Sequence, residues 1–387
     1  MPRLLPRLAA LVVISAALHA APAAAYPQWQ LSTGNERCNQ CHYAPAGGGL
    51  LTSYGRDAAG EDLAQFGGNG ALLHGLGTLP PWLALGADLR GAFVAQGVQD
   101  PRGPTVAAFP MQADAEARVA IPDTGLSLSG TLGLRGQVRD PDVLVPVENY
   151  QPVSTSQLIS REHYLMYQPE AIGSYLRLGR FFAPFGLRFA EHTLYIRRDL
   201  GFDQLRETYN LSAGVVRPGW ELHVTLFAPD FIRQIGSDET GAAAYYEKRL
   251  GGGTAAFALQ GRVAAAPGVT RFIGGAVGKA WVEPWRTLLF AEVDGVDLLF
   301  DDPSVSSRRQ VVAAAGLTLM PAPWLMATLL GERNQIDVAF DDAWTAVAAF
   351  VNWFPYAHFE LQAVGRLQHP TGGDDAKTFF FQVHYFL

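Results

Sequence analysis

The 387-residue chain has only two cysteines, Cys38 and Cys41, so it can hold at most one disulfide bridge. A structural zinc site wants about four cysteine or histidine ligands, and no second cysteine pair is there to supply them. After residue 25 there is no run of about 18 apolar residues, which disfavours a helical inner-membrane protein. Lysine and arginine total 29 and form no basic run, so nucleic acid is not an expected partner; the formal charge is −7. GxSxG, Walker A, dinucleotide-binding and HExxH patterns are all missing, and hydrolase or nucleotide chemistry loses its support with them.

What is present begins with an export signal. Arg3 and Arg7 precede an apolar core through Leu11, Val12, Val13 and Ile14, and Ala23 and Ala25 supply a small-residue exit. Residues 1–25 therefore read as a secretory signal peptide, with Tyr26 as the mature start.

The two cysteines then fall in the run CNQCH, Cys38 to His42. Two thiols at this spacing with a histidine directly after are the c-type haem attachment pattern. The thiols can form thioethers to the haem vinyl groups, and the His42 imidazole can reach the iron. The competing readings are a surface disulfide or a redox CxxC that happens to precede a histidine. Residues 26–80 make a short segment around this motif, with Gly47, Gly48 and Gly49 giving either a tight turn or room for a flat cofactor. Leu50, Leu51 and Tyr54 could cover a haem face or form a small core. The segment has no methionine. His74 is its only other histidine, and so stands as the candidate sixth ligand, against a loop histidine and a five-coordinate or water-ligated iron.

From Trp82 onward the pattern has period two. In Gly125–Arg139, Leu126, Leu128, Leu132 and Leu134 share one face, and Ser127, Ser129, Thr131, Arg135 and Gln137 the other. Met111–Ile121 alternates in the same way, as does the stretch in which Phe359, Leu361 and Ala363 oppose His358, Glu360 and Gln362. Runs of about 10 residues, apolar on one face and charged on the other, suit a lipid-facing barrel with a water-filled interior better than a soluble sandwich. Counting gives about sixteen strands over residues 81–387. Short connections such as 122–124 and 217–219 alternate with long ones, 139–158 and 183–206. The expected fold is an all-β membrane protein: an antiparallel outer-membrane β-barrel of about sixteen strands with a short N-terminal c-type haem segment on the periplasmic side. The last stretch, AKTFFFQVHYFL, resembles the terminal aromatic strand of such barrels, with Leu387 in place of a final phenylalanine.

The stretch Leu176–Phe189 resembles one found in outer-membrane porins of the phosphate-selective type. Arg177, Arg180 and Arg188 from it, joined by Arg197 and Arg198, either line an anion-favouring pore or pair with lumen carboxylates. Asp301–Asp302, Asp341–Asp342 and Asp374–Asp375, with Asp140 and Asp142, fall in predicted outer loops. They read as solvated loops, or as hard oxygens that attract a cation to the outer rim.

One CxxCH after an export signal and before a barrel resembles the fused monohaem cytochrome–porin family, whose members include outer-membrane iron oxidases. The resemblance covers the mature chain and is anchored at Cys38, Cys41 and His42. Tyr54-Gly55-Arg56 is similar to a run that follows the motif in relatives, while the glycine-rich stretch departs from the iron-oxidase members. It implies one covalently attached haem c and electron transfer between an extracellular donor or acceptor, such as Fe²⁺ or another redox species, and a periplasmic c-type cytochrome or other carrier. That would make the chain an electron-transfer protein or an extracellular Fe(II) oxidase. The alternative is a haem-plugged or anion-selective diffusion porin.

Overall fold

The computed structural model describes residues 27–32, 37–97, 105–135, 158–170, 173–203, 206–231 and 237–387. The expected signal peptide, Asp140 and Asp142, and nearly all of the 139–158 link lie outside these residues.

Alternation turns directly into staves. The strands are β1 (Leu83–Gly97), β2 (Thr105–Ile121), β3 (Leu126–Arg135), β4 (Leu158–Ile159 continuing as His163–Tyr167), β5 (Ser174–Phe181) and β6 (Thr208–Arg217). They continue as β7 (Trp220–Ala228), β8 (Thr240–Leu250), β9 (Ala255–Ala266), β10 (Val269–Val282) and β11 (Thr287–Phe300). The last five are β12 (Arg308–Ala322), β13 (Leu325–Asp337), β14 (Asp342–Trp353), β15 (Phe359–Pro370) and β16 (Ala376–Phe386). Both pieces of β4 pair with β3, so seventeen segments make sixteen staves. Each stave pairs antiparallel with its sequence neighbour. The sheet then closes where β1 meets β16, in a register that sets Leu89 opposite Tyr385 and Phe93 opposite Phe381. Among the described residues closure leaves no stave without a neighbour on either side, which is what a sheet in lipid needs.

The two faces separate as the sequence predicts. On β3, Leu128, Leu132 and Leu134 are exposed outward, while Ser127 and Ser129 are buried inward. Exposed aromatic residues stand near both ends of the wall, Trp82, Tyr167, Trp285 and Tyr356 at one and Phe231 and Phe340 at the other, as interfacial girdles do. Replacing Leu132 with arginine is expected to cost about 2–4 kcal/mol, the depth-dependent cost of a charge on the lipid face. Urea unfolding of the barrel in phosphatidylcholine vesicles measures it; a change within error would mean that β3 does not face lipid.

The interior departs from the expected water-filled lumen. The link after β5 carries Phe185, Leu187, Phe189, Leu194, Tyr195, Ile196 and Leu200, all buried. So apolar a segment is not stable in water as an outer loop, and it folds into the bore, with a short helix, α3 (Tyr195–Arg198), inside it. Staves β9, β12 and β14 leave room by turning small residues inward: Ala256, Ala258, Ala264, Ala314, Ala346 and Ala348. Its backbone is held as well. Gly186 N donates to Gln260 Oε1 at 2.6 Å, Leu187 N to Glu292 Oε2 at 2.7 Å and Tyr195 N to Glu332 Oε1 at 2.5 Å.

The N-terminal segment occupies the end of the barrel where the shortest turns and the C-terminal residue lie. Helices α1 (Pro27–Ser32) and α2 (Ser53–Glu61) seat it. Trp29 packs on Phe354 at 5.2 Å between ring centroids, and Ala58, Ala59 and Leu63 pack on Met320 and Met326. Gln65 N and Phe66 N donate to Phe354 O and Pro355 O, both at 2.9 Å, and Arg56 Nη2 donates to Leu85 O at 2.7 Å.

Candidate functional site at the CNQCH turn

Cys38, Asn39 and Gln40 form one 3₁₀ turn, which Cys41 caps through its N–H to Cys38 O. The chain then runs out and back as a hairpin, closed by an antiparallel bridge between His42 and Leu51 and by Tyr43 N donating to Leu50 O at 3.1 Å. Gly47, Gly48 and Gly49 make its tip with φ of 85°, 81° and 62°, left-handed values that favour glycine.

Helix α2 is laid directly against this hairpin. Thr52 caps α2, its Oγ1 accepting from Gly55 N at 3.0 Å while donating to Gln40 O at 2.8 Å. Thr52 N also donates to Cys41 O at 2.9 Å. Gly55 lies so close that a Cβ there would stand 2.2 Å from Cys41 O. In the Tyr54-Gly55-Arg56 run, glycine thus permits contact with the motif and arginine bonds the barrel wall. Tyr54 itself is largely exposed, whereas Leu50 and Leu51 are buried, Leu50 against Gly86 of β1.

Cys38 and Cys41 are not bridged to each other, and Cys41 and His42 are buried. His42 Nδ1 lies 3.3 Å from Gly49 O. With a proton on Nδ1 donated to that carbonyl, Nε2 carries the lone pair that a metal takes, the usual arrangement for a ligating histidine. Gly47 packs closely on both groups, where a Cβ would stand 3.3 Å from Cys38 Cβ and 3.9 Å from the His42 ring. Two thiols on one turn and an anchored imidazole are the donor set that a covalently attached haem c uses. Burial pushes the Cys38 thiol pKa up, against the lowering effect of the nearby Arg188 guanidinium.

His74 lies elsewhere on the rim. Its Nε2 is 2.9 Å from the Tyr385 hydroxyl and its ring meets His358 at 5.3 Å; His42 is not among its partners. His358, held by Gly70 O at 2.9 Å, has its pKa lowered to about 4, mainly by burial. The structure therefore brings Cys38, Cys41 and His42 together on one turn and gives His74 Tyr385 and His358 as neighbours.

The arginines divide. Arg177 lies between the rings of Tyr164 and Phe181, 3.6 and 3.8 Å from their centroids, and 3.4 Å from Glu162. Arg180 pairs with Asp230 at 3.1 Å and with Glu207 at 3.5 Å. Arg197 stacks on Phe182, and Arg198 pairs with Asp199 at 3.0 Å. Arg188 is the one that reaches the motif: Nη1 donates to Ala46 O at 3.0 Å and lies 3.9 Å from Cys38 Sγ, while Nη2 meets Glu221 at 2.5 Å. Behind it stands a group the strand pattern did not single out. Glu221 also pairs with Arg249 at 3.3 Å, Arg249 with Glu247 at 3.1 Å, and Glu247 with Lys279 at 2.7 Å. Lys279 Nζ donates to Gln30 of α1 at 2.7 Å. All sit on inward-facing positions near the short-turn ends of β7, β8 and β10, a signal readable only once strand register is known.

The acidic pairs lie in turns at the opposite end. Asp302 accepts from Ser304 N and Oγ, which holds its carboxyl below the usual range, and Asp375 meets His369 at 2.7 Å. Asp301 stands beside Asp302 in its turn, Asp341 and Asp342 enter β14, and Asp374 precedes β16. Among the described residues these carboxylates do not gather into a group of three ligands.

No known protein family and no curated protein matches the chain in sequence. Solved structures do match in shape. OmpT of Vibrio cholerae superposes with a TM-score of 0.58 at 12% identity, over 79% of this chain and 97% of that one. OprB of Pseudomonas putida gives 0.58 at 11%, over 79% and 94%, and an anion-selective porin from Comamonas acidovorans 0.57 at 9%, over 79% and 99%. Likeness at such identity speaks for architecture alone: the chain has the closed-barrel fold of outer-membrane porins.

Proposed function

We propose that this chain is an outer-membrane barrel that carries one covalently attached haem c at Cys38 and Cys41, with His42 as axial ligand, and passes electrons between an extracellular donor or acceptor and a periplasmic carrier. The observation that carries the reading is that the CNQCH turn sits within the bore, touched by the inward loop, instead of hanging free at the mouth. In bacterial barrels the end with short turns faces the periplasm, which puts the attachment turn within reach of a soluble c-type cytochrome. A haem held there would take and give single electrons. The chain's part is to fix His42 through Gly49, to exclude water with Leu50, Leu51 and the loop, and to shorten the path across a core of about 30 Å by holding the turn inside it. With ferrous iron as donor, each Fe²⁺ oxidised to Fe³⁺ would deliver one electron inward. His74, bonded to Tyr385 on the rim, is the proposed sixth ligand.

The second reading is a diffusion porin, haem-plugged or anion-selective, without electron transfer. The porin likeness favours it; the carboxylates beside Arg177, Arg180 and Arg188 and the apolar loop in the bore weigh against an open anion path.

One preparation tests both. The chain is expressed in a host with c-type maturation, and the heat-modifiable band is stained for covalent haem. It is then reconstituted in liposomes with Fe²⁺ outside and a trapped ferric cytochrome c inside. A stained barrel that reduces the trapped acceptor is expected. A folded barrel without stain overturns the reading, and a stained, anion-conducting barrel inert to outside reductants selects the second.

A further inference from the structure

We propose that Arg188 locks the CNQCH turn into the bore and sets the charge at its first sulfur. The charge role rests on the haem reading above; the lock does not.

Arg188 lies in the inward loop with φ of 59°, a left-handed backbone that a non-glycine residue keeps only where its surroundings enforce it. Here they do. One guanidinium bonds Ala46 O in the hairpin and Glu221 on β7, and lies over the Tyr245 ring of β8 at 4.6 Å. Hairpin, loop and wall therefore meet at one side chain, and a planar fork fixes both bonds in one rigid plane, which a compact ammonium on a flexible stem does not. The charges in contact around it are Arg188, Arg249 and Lys279 against Glu221 and Glu247, with His223 at 3.5 Å from Glu221. Setting His223 aside, the group holds three cations against two carboxylates, and one of those cations, Arg188, lies beside Cys38 Sγ. In a bore from which water is largely excluded that charge is weakly screened. Oxidised haem iron carries one positive charge more than reduced iron, so the surplus favours the reduced form and raises the midpoint potential.

The test uses the full chain in outer membranes, with heat-modifiable mobility confirming a folded barrel. In a host without c-type maturation and in a Cys41→Ala background, maleimide alkylation reads access to Cys38. Arg188→Lys, which keeps a charge beside the thiol, should react faster than the parent, by about tenfold or more, the factor that losing a charge-assisted hydrogen bond gives. With haem attached, Arg188→Gln should shift the midpoint potential downward, while Arg188→Lys, which keeps the charge, should stay near the parent. Equal alkylation rates in a folded Arg188→Lys barrel, where the thiol keeps a neighbouring charge, overturn the lock. An unmoved potential in haem-loaded Arg188→Gln overturns the charge role. A parent chain that never acquires haem overturns the charge role together with the preceding reading, and the alkylation rates still decide the lock.

Discussion

Glu221→Leu should be among the most damaging single changes in the barrel wall, at about 3–5 kcal/mol, the cost of removing one partner from a buried ion pair. Glu221 is fully buried and meets Arg188 at 2.5 Å, Arg249 at 3.3 Å and His223 at 3.5 Å. Removing its carboxylate leaves Arg188 charged and buried; Arg249 keeps Glu247, and Lys279 is unaffected. Leucine fills the volume but offers those cations nothing, so the loss is electrostatic and not a cavity. A second change checks the cause. Arg188→Leu in the same chain removes the stranded charge, so the double variant should cost less than the two single costs added together. Urea unfolding in lipid vesicles, followed by tryptophan fluorescence, gives both quantities. A Glu221→Leu loss below about 1 kcal/mol would mean that the cluster is hydrated and screened, as exposed pairs are.

The staves were legible in the sequence because lipid and bore demand opposite side chains at period two, and neighbours such as Leu128 and Ser129 answer to nothing else. Strand ends could be read wherever a turn residue stopped the run, and less well at β2. That strand continues back past Pro110, which removes one amide donor. The wall absorbs it with a register shift, Arg90 facing Gln112 and Gly91 facing Pro110. What the pattern concealed was the filling of the bore. A link with Phe185, Leu187, Phe189 and Ile196 reads as an outer loop by position, and only its apolar content argues for burial. The matching signal, inward alanines on β9, β12 and β14, is spread over more than 90 positions of chain and has no local period. Cys38, Cys41 and His42 were readable as a group because their spacing is local. Arg188 beside them was not, since 150 residues separate it from Cys38.

Gly55→Ala sets two physical effects against each other, and contact should win. Within a helix, alanine is favoured over glycine by about 1 kcal/mol, so propensity alone predicts a firmer α2. The added Cβ, however, would lie 2.2 Å from Cys41 O and 2.7 Å from Cys41 Cα, backbone atoms of the turn on which α2 rests. Neither can yield as the far end of a side chain would. Overpacking of this kind costs about 1–3 kcal/mol or more, and the cheapest relief is for α2 to lift away. Lifting breaks the Thr52–Gln40 bond and the Arg56–Leu85 bond together, because one short helix makes both. The expected result is a barrel that still shifts its mobility on heating while protease cleaves within residues 37–80, at least about fivefold faster than in the parent chain, as a loss of 1 kcal/mol from local opening gives. Ser53→Ala, two residues earlier on the exposed side of α2, should leave the segment protected. Equal protection of the Gly55→Ala chain would mean that α2 does not rest on Cys41. The attachment turn would then lose the support that places it in the bore.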